Sequence, residues 1–235
     1  MKIQLLEETS APAQYLCSDA YCAQEKINGE RMLIHKAANN VTGYNRRGLE
    51  RPVPAPTLAL ALLSDEDWLI DGEIVGDHFT AFDVLEINGG DVTGFPQSAR
   101  FAALGEISPF AIVKQAVGER AKTELLFAVT ATGGEGVVFK EVKAPYRDGR
   151  HFDAIKYRIW QSESFIVTDH DIAKGSIGLS RGGRNCGRCV VKFSGEWPKP
   201  GDVVEVKFSA RSKTGKCIHP VLLGIRHDIS PCEIP

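Results

Sequence analysis

The sequence predicts an α+β chain in two parts, a larger strand-rich part holding one helical stretch and a smaller all-β part. Three observations carry that expectation. Strand-like runs alternate with Gly, Asn and Asp turns as far as Leu85; residues 98–131 change to a helical pattern; and after Trp160 only short β-type runs remain, separated by Gly-rich or Pro-rich turns.

Taken in order, Cys22–Lys26 leads into Arg31–His35, apolar enough for a strand, and Asn39-Asn40 reads as a turn. Val41–Asn45 is a second strand, closed by Arg46-Arg47-Gly48. Pro52, Pro54 and Pro56 punctuate a loop, after which Thr57 is expected to cap a short helix through Ser64. Trp68–Val75 and His78–Leu85 should pair around Gly76-Asp77, the strongest hairpin signal in the chain. Pro109 divides the helical stretch 98–131 into at least two pieces, and Gly136–Val142 and Ala154–Arg158 return to strand. Beyond a boundary near 159–163, Phe165–Thr168, Cys189–Phe193, Val203–Phe208 and Val221–Ile225 suit a small barrel such as the OB-fold.

At 235 residues the chain has room for one large domain or two modest ones. No apolar run is long enough to span a bilayer, so no membrane partner is expected. The start, MKIQLLEETSAPAQYL, places acids where an export signal needs an apolar core, which points to a cytoplasmic location and is compatible with a viral or a bacterial source. Reduced thiols are then expected at the six cysteines, with Cys186-Gly187-Arg188-Cys189 an isolated pair short of a zinc ligand set. The net charge of −2 conceals a segregation: residues 1–139 carry 11 Lys and Arg against 19 Asp and Glu, residues 140–235 carry 17 against 11. The basic half is where a phosphate backbone would be met.

The stretch Glu25-Lys26-Ile27-Asn28-Gly29-Glu30-Arg31 holds one lysine, a turn behind it and an arginine five residues on. A lysine amine, with an ordinary pKa of about 10.4, is a nucleophile only where nearby cations or an apolar wall favour its neutral form. Five further segments supply what it needs: Asn45-Arg46-Arg47-Gly48, Asp71-Gly72-Glu73, Ala81-Phe82-Asp83, Glu135–Lys140, and Lys156-Tyr157-Arg158 with two cations on one strand face. Lys140, Lys156 and Arg158 suit a triphosphate and are expected to favour the neutral Lys26 amine; Glu73 and Glu135 suit Mg²⁺ or ribose hydroxyls, and Phe82 offers a face to a purine. Each segment alone has an ordinary structural explanation; their ordered co-occurrence points to phosphoryl chemistry on a nucleotide.

On these segments the chain resembles the ATP-dependent DNA ligases of the covalent nucleotidyltransferase superfamily, in their minimal two-domain form, over nearly its whole length. Lys26–Arg31 resembles the KxDGxR motif, which implies that Lys26 takes AMP as a lysyl-adenylate. Arg46 with Gly48 resembles the arginine motif that touches a nick 5′-phosphate, Asp71-Gly72-Glu73 the DGE motif, and Phe82-Asp83 the FD motif whose aromatic stacks on adenine. Glu135–Lys140 is similar to EGxVxK, Tyr146–Arg150 to YxxGR, and Lys156 with Arg158 to KxK. The resemblance implies a nucleotidyltransferase domain at 1–160, ATP-grasp-like with antiparallel sheets and helices, and an OB-fold β-barrel at 161–235. It implies catalytic roles for Lys26, Lys140, Lys156 and Arg158, and an ATP site of Gln24, Glu25, Lys26, Arg31, Arg46, Glu73, Phe82, Lys140, Lys156 and Arg226. Glu73 and Glu135 would hold Mg²⁺ or Mn²⁺. Nicked duplex DNA would meet Arg46, Arg47, Arg150, Arg181, Arg184, Arg188 and Lys213 on a monomer.

Three positions depart from the pattern. Asn28 stands in place of the usual Asp, Gln24 where many relatives have a Glu that reads the adenine amino group, and Ile229 in place of the lysine of RxDK within Arg226-His227-Asp228-Ile229. With Lys26 so early, no N-terminal DNA-binding domain is expected. An RNA ligase, an mRNA-capping guanylyltransferase using GTP, and a non-catalytic OB-type single-strand binder are the alternatives.

Overall fold

The hairpin around Gly76-Asp77 forms the centre of the larger sheet. In the computed structural model, which describes residues 3–192 and 196–234, Trp68–Val75 and His78–Ile87 pair antiparallel with Val75 opposite His78. Gly76 turns the chain at φ 62°, in the left-handed region that costs glycine nothing. Glu30–Ala37 lies on the far side of Trp68–Val75, followed outward by Asn40–Asn45 and Glu50–Arg51. Gly90–Asp91 and Ala111–Ile112 flank His78–Ile87, giving seven strands.

Period-two alternation buries both faces of this sheet. Met32, Ile34, Trp68, Ile70 and Phe79 face one way, onto Leu104 of the helix Gln97–Ile107 and onto Phe110. The rings of Trp68 and Phe79 meet Phe110 edge-on at 5.5 and 4.8 Å. Leu33 and Leu85 face the other way and pack with Ile3 and Tyr146.

That second face looks onto a five-stranded sheet in the order Gln4–Glu8, Gly149–Arg158, Gly136–Glu141, Tyr21–Glu25, Gln115–Ala116. Gln4–Glu8 runs parallel to Gly149–Arg158 and the other pairs are antiparallel. Helix Glu119–Ala131 covers this sheet. Its Lys122 is fully buried and donates to the carbonyls of Tyr15, Ser18 and Tyr21 at 2.8, 2.6 and 3.0 Å, pinning the chain that enters the Tyr21–Glu25 strand.

Several expectations need correction. Thr57 is not a cap: the helix runs Ala55–Ala61 from Pro54, and Thr57 sits inside it, donating its hydroxyl hydrogen to the Asp77 carbonyl at 2.7 Å. The helical stretch after residue 98 is interrupted by the two-residue strands Ala111–Ile112 and Gln115–Ala116, too short to leave a periodic signal. The strand expected at Ala154 begins at Gly149, and the strand Gln4–Glu8 was not foreseen.

The described residues divide into two compact units on either side of Arg158 and Ile159. In the second, Gln161–Asp171, Ser176–Arg181, Arg184–Val190, Val221–Ile225 and Val203–Phe208 close in that order into a barrel. Its interior takes alternate residues, among them Phe165, Val167, Ile177, Leu179, Val204, Val206 and Phe208, together with the thiols Cys186 and Cys189. All six cysteines are free, and these two fill the core as small apolar groups. The strand Ser176–Arg181 and its turn at Gly182 and Gly183, with φ 58° and 68°, are additions to the sequence expectation. The strand expected at Cys189–Phe193 instead ends at Val190, and Phe193 lies outside the described residues. Among the described residues no helix is long and apolar enough to cross a membrane.

Candidate active site

Lys26 directly follows the strand Tyr21–Glu25, and its backbone N–H donates to the Gly136 carbonyl at 2.9 Å. The side chain therefore emerges at the end of this inner strand, beside the Glu135–Gly136 turn. Only glycine fits there: at φ 146° a Cβ on residue 136 would lie 2.0 Å from the Tyr157 carbonyl oxygen. Lys26 Nζ donates to Glu135 Oε2 at 2.7 Å, and Arg158 Nε donates to Glu135 Oε1 at 3.2 Å. The nearest charged group to the amine is thus a carboxylate rather than a cation. Lys156 and Arg158 share a strand face, as period two requires, and both reach Glu8 Oε2 at 3.2 Å. Burial resists ionisation of Glu8, yet Lys156 and Arg158 outweigh it and hold the carboxyl below its usual range.

Opposite Lys26, the larger sheet contributes Arg31, Glu73 and Phe82. Arg31 forks onto both carboxylate oxygens of Asp71, the Nε contact being 2.9 Å, and also donates to the Gln4 carbonyl and to the Tyr146 hydroxyl. Tyr146 in turn donates to Asp71 Oδ2 at 2.8 Å. Burial opposes the Arg31 charge, but Asp71 beside it wins and keeps the guanidinium protonated; burial next to Asp71 drives the Tyr146 phenol well above its ordinary value. Two cations lie over the Phe82 ring, Lys140 Nζ 4.9 Å and the Arg31 guanidinium carbon 5.4 Å from its centre. Lys140 donates to Asp83 Oδ2 at 3.1 Å, and Arg100 donates to Asp83 Oδ1 at 2.8 Å.

The Glu73 carboxylate, unlike those of Asp71, Asp83 and Glu135, makes no hydrogen bond or ion pair among the described residues. Burial pushes its carboxyl up to about 7, with Lys26 and Arg31 pulling the other way and Asp71 and Glu135 adding to the rise.

These side chains line one pocket, walled by Gln4, Leu6, Gln24, Glu25, Lys26, Ile27, Arg31, Glu73, Phe82, Val138 and Lys140. A broader cleft adjoins it through Lys26, Arg31 and Glu73 and adds Arg46, Arg47, Arg51, Arg150, Lys156 and Arg158. Arg46 and Arg47 are exposed and unpaired among the described residues, cations left open to an incoming anion. Arg150 donates to the Leu6 carbonyl at 3.3 Å.

The remaining predicted residues belong to the barrel unit. Arg181, Arg184 and Lys213 line a depression with Arg211; Arg184 and Lys213 are exposed and unpaired among the described residues. Arg181 pairs with Glu163 at 3.3 Å, and Arg188 is held by Asp169 and Ser176. Arg226 forks onto Asp228 at 2.8 and 2.7 Å, a contact that draws the Asp228 carboxyl down to about 2.

Sequence reading missed Glu8, Arg100 and the role of Tyr146. The strand bearing Glu8 is five residues long, and its partners lie about 150 positions away in sequence. For Arg100 a signal existed: a strand aspartate beside apolar residues needs a buried cation, and Arg100 is the single basic residue of helix Gln97–Ile107.

The chain belongs to the RNA ligase family, whose model matches residues 19–158. A probable DNA ligase of Dictyoglomus turgidum is 28% identical over 200 residues, covering 67% of this chain and 34% of that protein. One of Streptomyces avermitilis is 27% identical over 170 residues, covering 56% of this chain and 33% of its own. The chain spans about a third of the length of the curated relatives it matches. Among solved structures, a Lig E DNA ligase described as binding DNA with a minimal scaffold superposes with TM-score 0.71 at 23% identity, over 96% of this chain and 99% of that one. Mycobacterial DNA ligase D, solved with ATP and MES, gives TM-score 0.63 at 18% identity over 100% and 98%.

Proposed function

We propose that this chain is an ATP-dependent DNA ligase that seals nicks in duplex DNA through a lysyl-AMP on Lys26. The observation that carries the reading is the Lys26 amine, set where the enclosed pocket opens into the cationic cleft. A nucleotide base fits against Phe82 and Gln24, and the phosphates fall toward Lys26, Lys156 and Arg158. The amine loses its proton, for which Glu135 Oε2 at 2.7 Å is the adjacent acceptor, then bonds to the α-phosphorus as the bond to pyrophosphate breaks. AMP next passes to a 5′-phosphate in the cleft with release of the lysine, and a 3′-hydroxyl displaces AMP to close the phosphodiester bond. Arg46, Arg47 and Arg150 fit the nick phosphates, with salt-dependent, sequence-independent contacts from Arg184 and Lys213.

Under this reading residues 1–160 form the adenylation domain and 161–235 an OB-fold domain. The barrel order supports the OB assignment, as does the parallel contact of Val190 with Val221. Ile229 leaves the segment 226–229 without the lysine of the motif it resembles. Asn28, exposed beyond Lys26, would leave one charge fewer beside the amine. The enzyme would act as a monomer.

Among the described residues no group of three or more His, Cys, Asp or Glu could by itself hold a metal. Glu73 nevertheless fits Mg²⁺ or Mn²⁺ as a single hard ligand completed by phosphate oxygens and water, whereas both Glu135 oxygens are engaged by cations. The metal would supply charge neutralisation at the phosphates. A testable consequence follows from the raised Glu73 carboxyl. Between the ordinary glutamate range and about 7 the folded protein holds a proton the unfolded chain has released, so stability falls as pH rises through that window. A cation on ionised Glu73 offsets the loss. Mg²⁺ should therefore raise the melting temperature at about pH 8 and hardly at about pH 6, and Glu73→Gln should remove the difference.

The deciding experiment is ligation. With ATP and Mg²⁺ the protein is expected to seal a singly nicked DNA duplex. Sealing of nicked RNA alone would move the assignment to RNA ligation, the second reading that the family match at 19–158 supports; binding of single strands without any covalent adduct would overturn both.

A further inference from the structure

Three glutamines, 24, 97 and 115, meet in one hydrogen-bond network, and Gln24 is the member that lines the pocket. Gln24 is buried on the strand Tyr21–Glu25 and lines the cavity. Both hydrogens of its amide go to protein acceptors: Nε2 donates to Gln115 Oε1 at 2.9 Å and to the Phe82 carbonyl at 3.4 Å. Gln115 Oε1 also accepts from Gln97 Nε2 at 2.9 Å and from Cys22 Sγ at 3.4 Å. Gln97 is buried at the start of its helix, and its oxygen and the Lys140 carbonyl also lie 3.4 Å from Cys22 Sγ, so the single thiol hydrogen is shared among three acceptors.

Reversing the Gln115 amide alone would point its hydrogens at two amide donors, and reversing Gln24 alone would set its oxygen against the oxygens of Gln115 and Phe82. Reversing all three amides together would still face Gln24 Oε1 with the Phe82 carbonyl oxygen, so that carbonyl, at 3.4 Å, selects the sense of the network. Gln24 Oε1 is left as the open end: it accepts nothing from the described residues and is not sealed from the pocket.

We propose that Gln115, backed by Gln97, is a positioning residue that locks the Gln24 amide with its oxygen toward the pocket, so that the site takes a 6-amino purine nucleotide and refuses a 6-oxo one. The inference rests on the adenylation reading above. A 6-amino group donates to Gln24 Oε1. A 6-oxo group faces it acceptor to acceptor, leaving two buried polar atoms unpaired.

The test is initial-rate covalent labelling with ATP, ITP and GTP, since ITP presents the 6-oxo edge without the 2-amino group of GTP. Wild-type protein is expected to label with ATP at least about 100-fold faster than with ITP. Gln115→Leu frees the Gln24 amide to turn and should reduce the ATP-to-ITP ratio about tenfold or more, the order expected for one unmade hydrogen bond. Gln115→Glu, which still accepts from both neighbouring amides, should retain the wild-type ratio. A purely structural role for Gln115 would slow ATP and ITP together and leave the ratio unchanged in the leucine variant, which would overturn the proposal. Equal labelling of the wild type by ATP and ITP would also overturn it, and that comparison stands even if the leucine variant does not fold. Absence of label from every nucleotide would instead sink the adenylation reading itself, a separate result.

Discussion

Lys26→Ala is expected to abolish covalent labelling by ATP carrying a labelled α-phosphate, and ligation with it. The pocket provides no substitute. Among the described residues the only other amine in its wall is Lys140, whose Nζ is engaged by Asp83 at 3.1 Å and by the Phe82 carbonyl at 3.3 Å. Alanine should not unfold the chain, because Glu135 keeps Arg158 at 3.2 Å and its buried carboxylate is not orphaned. A loss of roughly 1–3 kcal/mol from the missing charged hydrogen bond is expected, visible as a modest fall in melting temperature. Lys26→Arg separates chemistry from folding more sharply. A guanidinium retains the ion pair with Glu135 but stays protonated and cannot act as a nucleophile. It should fold like the wild type and take no label. Persistent label on either folded variant would remove Lys26 as the nucleophile.

What the sequence disclosed and what it concealed divide along the range of the interactions. The Gly76-Asp77 hairpin was legible because turn chemistry and strand alternation are local, and both act within a dozen residues. Lys26 was legible because its companions recur in a fixed order, although no single one of them is diagnostic. Glu8 was not legible: a short polar strand acquires meaning only when it pairs in parallel with Gly149–Arg158 and sets its carboxylate between Lys156 and Arg158. The Arg31–Asp71–Tyr146 cluster shows the same limit. Each residue was noted in its own segment, yet their meeting depends on the pairing of two strands 40 positions apart and on the loop that brings Tyr146 onto them. Thr57 shows the converse. A cap-forming residue after a proline-rich loop is a sound local signal, but the helix had already started at Ala55, and the hydroxyl was claimed by the Asp77 carbonyl. The surplus of cations after Phe139 was visible in the composition, whereas their engagement was not: Arg188 is held by Asp169, while Arg184 stays open.

Asp83→Asn should be the most destabilising single substitution in the first unit. Asp83 is almost wholly buried and answers two buried cations, Arg100 through 2.8 and 3.1 Å contacts and Lys140 at 3.1 Å. Burial opposes its ionisation, but Lys140 and Arg100 override that and keep the carboxyl below its usual range. Asparagine has nearly the same volume, so no cavity forms. It removes the negative charge, however, and turns an amide donor toward a guanidinium or an ammonium. Leaving buried charge uncompensated costs about 3–5 kcal/mol, which for a chain of this size is a fall in melting temperature of roughly 6–20 °C. Since a depressed carboxyl stabilises the fold only while ionised, the gap between wild type and variant should narrow as pH falls below the ordinary aspartate range. A second substitution isolates the cause. If charge is what matters, Arg100→Met added to Asp83→Asn should recover part of the loss, because one stranded cation leaves with it. Additive losses in the double variant would mean that Arg100 acts by packing against Tyr146, whose ring centre lies 5.7 Å from its guanidinium carbon, and not as the counter-ion that holds Asp83 and Lys140 beside the pocket.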